Sequence, residues 1–140
     1  MATPAPLTAK PLATKKNSSF PMIVLLAGWL VPGLGHLLVG KKIRALLLFA
    51  AIVLMYIIGI SLAGKVYTPS TGDYLDLLGF VGQLGLGLLY VIARAFGLGA
   101  AAAVSTIGDY GTKALLIAGL LNVITAVDAH SLANGRKASF

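Results

Sequence analysis

Residues 45–64 read ALLLFAAIVLMYIIGISLAG, twenty positions without a charge. A helix rises about 1.5 Å per residue, so this stretch reaches roughly 30 Å, the thickness of a bilayer's hydrocarbon core. The rest of the chain has the same character. Of 140 residues, 58% are hydrophobic and 11% are charged, and mean hydropathy is +0.92. So few polar groups cannot cover a water-facing surface, which excludes a soluble globular domain. The apolar content excludes disorder. Cysteine is absent, which excludes a disulfide framework and any thiolate metal site. The composition predicts an all-α integral membrane bundle.

Working outward from 45–64 gives about four transmembrane segments. The first is 22–39, the third is 77–93, and the fourth is a helix over 111–130. Residues 20–134 form the membrane domain between a polar basic tail, 1–19, and a short polar end, 135–140. In the first segment Pro32 lacks an N–H, and Gly33 and Gly35 tolerate positive φ, so the helix is expected to break over Pro32–Gly35. Asp73 and Asp76 are placed to start the third helix. Asp109 is placed to cap the fourth, and Asn134-Gly135 to stop it. No internal repeat or inverted symmetry is legible.

The net charge is +7, from 11 Lys+Arg against four Asp. These basic residues sit beside apolar segments, among them Lys41, Lys42, Arg44 and Arg94. There they set topology and meet anionic lipid headgroups, not nucleic acid. If all four segments cross, six basic residues face one side and five the other. If the first segment enters and returns, the division becomes eight against three, which the positive-inside rule favours.

The stretch Trp29-Leu-Val-Pro32-Gly33-Leu-Gly35-His36 is the most distinctive. His36 has two readings. A neutral imidazole beside freed backbone could be an axial ligand to haem or a chlorophyll-type pigment. The plainer and preferred reading is an interfacial histidine hydrogen-bonded to that backbone. Trp29 reads as an interface anchor or a helix contact. In the third segment Gly79, Gly82 and Gly85 predict close backbone packing, with Gln83 hydrogen-bonded to a neighbouring helix. Asn122, well inside the fourth segment, reads as a tie between helices. Arg94, Asp109 and Asp128 lie at segment ends, where they can reach headgroups. Asp128 and His130 point in different directions on one helix and make no acid–base pair.

Trp29 to His36, Asp109-Tyr-Gly-Thr112, Ala118-Gly-Leu-Leu-Asn122 and Asp128-Ala129 together carry a resemblance. The chain resembles a family of small uncharacterised bacterial multi-pass membrane proteins. The resemblance implies a helical fold and a bacterial cytoplasmic membrane, and no mechanism. Residues 22–60 also resemble a two-helix membrane module with a Gly-rich turn and a histidine. His36-Leu-Leu-Val-Gly40 departs from it, lacking the module's Arg and aromatic pair.

No nucleophile, base and acid converge in this pattern, so no catalytic or metal-ligating set is predicted. The leading expectation is a non-catalytic accessory subunit of a larger membrane complex, in contact with other integral subunits and anionic lipids. Two alternatives are a pigment-binding or stabilising subunit of a photosynthetic reaction centre, and a small dimeric transporter or channel lined by Gln83, Arg94 and Asn122. No cofactor is firmly implied; the alternatives are a chlorophyll-type pigment through His36 or a bound lipid.

Overall fold

The computed structural model describes residues 19–69, 72–100 and 106–136. All but a few residues of the two expected tails therefore lie outside the described residues. The described chain is helical, without strands: α1 Phe20–Leu30, α2 Leu34–Leu38, α3 Lys42–Ser61, α4 Tyr74–Leu84, α5 Leu88–Ala95 and α6 Thr106–Ala133. Two helices, α3 and α6, are long and apolar enough to cross a membrane, or three spans if the bent pair α4–α5 counts as one. The expected count of about four transmembrane segments is corrected accordingly, while the expected break over Pro32–Gly35 is present. Segments 22–39 and 77–93 are each two short helices. Asp109 falls in the first turn of α6, not at its cap.

The two interruptions have the same cause. After α1 the chain goes extended at Val31, and Gly33 takes φ +76°. Pro32 and a left-handed Gly33 cannot continue a helix. α2 then folds back on α1: Gly35 lies against Gly28 and the Val24 carbonyl, so close that a Cβ there would collide. In the second pair no proline is needed. Gly87 takes φ +59°, ψ −121°, a conformation reserved for glycine, and α4 and α5 are bent by 118°. Asp73 starts α4 as an N-cap, its Oδ1 accepting from the Leu75 N–H at 2.9 Å.

The element order therefore repeats as short, short, long. Gly33 follows the start of α1 at the same interval as Gly87 follows the start of α4. The repeat is invisible in sequence because little coincides beyond Gly28/Gly82, Leu30/Leu84, Gly33/Gly87 and Leu34/Leu88.

The two broken pairs start from opposite ends of α6. Pro21, at the start of α1, meets His130 near the C-terminal end of α6. Asp76, at the start of α4, meets Lys65 in the 62–73 loop, and Lys65 meets Thr112 near the other end of α6. α5 returns to that loop, with the Tyr90 hydroxyl donating to the Tyr67 carbonyl at 2.7 Å. α6 packs against α1, α2, α3 and α4, with α3 antiparallel to it. Its buried face is mostly small: Gly108, Gly111, Ala118, Gly119, Ala126 and Ala129, at helical spacing with Leu115 among them. Gly119 receives Gly82 and Gly85 backbone to backbone, Gly111 receives Gly59 and Gly64, and Ala126 receives Gly28. Small residues allow this approach, and dispersion between the backbones rewards it. A core of Ile52, Tyr56, Val66, Leu86, Tyr90 and Leu115 fills the space between α3, α5 and α6.

Candidate functional site

The polar centre is built on Asn122, which is fully buried on α6. Its Nδ2 donates twice, to the Trp29 carbonyl at 2.8 Å and to the Gly85 carbonyl at 2.8 Å. Both acceptors stand at the helix breaks. In an unbroken helix each would take the N–H four residues on. The break removes that partner, because the Gly85 carbonyl's would-be donor, the Leu89 N–H, goes to Leu86. One amide thus satisfies the carbonyls that two breaks release. The Trp29 indole adds a third bond, Nε1 donating to the Leu84 carbonyl at 3.1 Å. Trp29 is therefore a contact between α1 and α4. Gly87 seats directly on the Trp29 carbonyl, where no side chain fits. Asn122 Oδ1 is buried and receives no donor among the described residues.

Gln83 repeats this role for the 62–73 loop. It is fully buried, donates from Nε2 to the Lys65 carbonyl and accepts at Oε1 from the Tyr67 N–H, both at 2.8 Å. Gly79 makes room for the Tyr67 ring. Thr112 Oγ1 accepts from the Lys65 N–H and donates to the Gly108 carbonyl. The Lys65 ammonium lies 2.9 Å from the Asp76 carboxylate, and that hydrogen bond raises its pKa above the ordinary lysine value. Around this loop opens a cleft of about 540 Å³, lined by Lys65, Thr68, Arg94, Asp109 and Thr112 among others. Arg94 is thus placed in a polar cleft at the loop end.

At the other end of α6, His36 is 1% exposed and its Nε2 lies 3.1 Å from Asp128 Oδ2. Its Nδ1 is buried without a partner among the described residues. A pigment or haem iron at Nε2 would have to displace Asp128. His130 Nδ1–H donates to the Pro21 carbonyl at 2.8 Å, while Nε2 accepts from Asn134. That pattern fits the neutral ring with its proton on Nδ1. Asp128 reaches His36 and His130 reaches the Pro21 carbonyl, so each holds a different part of the α1–α2 pair.

The expected site residues therefore fall into separate places. Pro32 and Gly33 form the first break, while Gly35 packs α2 on α1. Gly79, Gly82, Gln83 and Gly85 line the α4 contacts, and Asn122 joins the two breaks. Lys41, Lys42 and Arg44 form a basic turn between α2 and α3. Sequence reasoning missed Asp128 as the partner of His36, 92 residues away, for which no local signal exists. It also missed Tyr67, Tyr90 and Thr112, which look like ordinary loop and helix-end residues.

A family model matches residues 23–138. The chain belongs to DUF6677, a family of unknown function. No curated protein and no solved structure matches it. The DUF6677 match spans both breaks, the Asn122 centre and the His36–Asp128 pair.

Replacing Asn122 with Leu leaves two buried carbonyls unpaired, at about 1–3 kcal/mol each. Asn122→Leu is expected to lower stability by roughly 2–5 kcal/mol in reversible unfolding in mixed micelles. Asp109→Asn, at an exposed position, is expected to stay within about 0.5 kcal/mol of the native chain.

Proposed function

We propose that the chain is a non-catalytic, multi-pass subunit of a larger complex in the bacterial cytoplasmic membrane. The observation that carries this reading is where the buried and half-buried polar side chains point. Asn122, Gln83 and His130 are hydrogen-bonded to the chain's own backbone, and His36 to Asp128. These groups hold breaks and loops closed, which is the work of a scaffold. The outer faces carry exposed Ile43, Leu47, Leu54, Ile117 and Ile124, suited to lipid and to neighbouring apolar helices.

In this reading α3 and α6 cross the bilayer, and the pairs α1–α2 and α4–α5 enter from opposite faces. They meet near the mid-plane at Asn122, about 16 Å along α6 from Gly111. Eight basic residues then share one side (Lys10, Lys15, Lys16, Lys41, Lys42, Arg44, Arg136 and Lys137), against Lys65, Arg94 and Lys113 on the other. The positive-inside rule makes the first side cytoplasmic.

The two breaks and the bare Asn122 Oδ1 favour one second reading, a small dimeric transporter or channel. Unwound backbone at mid-depth is where transporter sites form. The scaffold reading is preferred because the Trp29, Leu84 and Gly85 carbonyls at the breaks are already occupied.

Two experiments follow. Purified in mild detergent, the native chain is expected to bring other integral membrane proteins at fixed stoichiometry. A lone monomer or homo-oligomer in native mass spectrometry would overturn the subunit reading. An absorption spectrum of that preparation reads the pigment alternative, through a co-purifying red band. For topology, the absence of cysteine makes single-cysteine labelling clean. Lys41→Cys is expected to label from the cytoplasm, and Thr68→Cys and Ala100→Cys from the opposite side. Cytoplasmic labelling of Ala100→Cys would mean that α4–α5 crosses.

A further inference from the structure

An apolar crevice of about 280 Å³ opens beside the first break. Its walls are Pro32, Leu34 and Leu37 on one side and Ala45, Leu46 and Phe49 on the other. Polar atoms contribute almost nothing to its surface. The break itself makes it: Gly33 sits against the Ala45 carbonyl, and the short α2 runs beside the first turns of α3. Leu37, Leu46 and Phe49 remain 48%, 68% and 42% exposed, so this wall is uncovered by the other described residues.

Its mouth has a different chemistry. Lys42 lines the crevice and also a second, shallow cleft formed by Gly40, Lys41, Lys42, Ile43 and Arg44. One residue therefore belongs to an apolar slot and to a basic surface at once. The α3 positions from Lys42 to Phe49 descend about 10 Å along the helix axis. That depth reaches from headgroup level well into one leaflet, whose hydrocarbon is roughly 15 Å thick. An apolar slot of this direction beneath a cationic turn is complementary to one kind of molecule.

We propose that this is a binding site for an anionic phospholipid. One acyl chain lies in the crevice between α2 and α3, and the phosphate meets Lys42 at its mouth. The site rests on the membrane placement of α3 and does not depend on a partner complex. It makes the first break functional as well as structural, because a continuous helix over 22–39 would leave no crevice.

The test is lipid retention by the full-length chain, isolated from any partner, in native mass spectrometry. Probes are vesicles of phosphatidylglycerol or phosphatidylcholine with matched acyl chains. The native chain is expected to retain one phosphatidylglycerol in preference to phosphatidylcholine. Lys42→Gln removes one basic contact worth about 1 kcal/mol at an anionic surface, so the preference should fall roughly fivefold. Leu46→Trp, at an exposed position, fills the slot and should lower retention of both lipids. Thermal unfolding of each variant confirms that it is folded. Equal retention of the two lipids by the native chain would overturn the proposal. So would unchanged phosphatidylglycerol retention in either variant. A partner complex lost or found in separate purification leaves these outcomes unaffected.

Discussion

A carbonyl released by a helix break must find a donor, because an unpaired backbone group in an apolar interior costs several kcal/mol. This chain has two such breaks, and one side chain serves a carbonyl at each. The Asn122 amide has two hydrogens, and they go to Trp29 and Gly85. Everything else in the fold is arranged so that both carbonyls come within reach of it. α1 and α4 must end at the same level, from opposite directions, on the same face of α6.

That requirement explains the small residues. For two short helices to end on one asparagine, their backbones must lie almost against α6. Gly119 with Gly82 and Gly85, and Ala126 with Gly28, permit it. The buried face of α6 is consequently small-residued where a soluble helix would carry Leu and Ile. The ends are secured separately. His36–Asp128 and His130–Pro21 hold the α1–α2 pair at one end, and Gln83, Tyr90 and Thr112 hold the 62–73 loop at the other. Each of these uses an amide, ring or hydroxyl against backbone or carboxylate. Shape is what they deliver, which is why a scaffold is the function they support best.

The legible part of this design was uneven, for physical reasons. Twenty uncharged residues over 45–64 can be read without ambiguity, since length and apolarity alone define a span. The first break was legible because Pro32 removes an N–H beside two glycines, Gly33 and Gly35, that tolerate positive φ. The second was not. A run of glycines is compatible with a continuous, closely packed helix, and only tertiary contact turns Gly87 into a break. Asn122 was recognisable as a tie because an amide deep in an apolar segment needs partners. Which partners it takes depends on helix ends 37 and 93 residues away. The His36–Asp128 pair is the extreme case. Each residue alone reads as an interfacial group, and their meeting follows from α2 folding back, which no local pattern encodes.

The central claim is that one amide closes both breaks, and it can be observed directly. Solid-state NMR on the chain in phospholipid bilayers, labelled at the Asn122 side-chain nitrogen and at the Trp29 and Gly85 carbonyl carbons, measures those two proximities. The account predicts cross peaks from Asn122 Nδ2 to both carbonyls, with amide protons that resist exchange. A side chain that sees one carbonyl or neither, and exchanges freely with water, would contradict it.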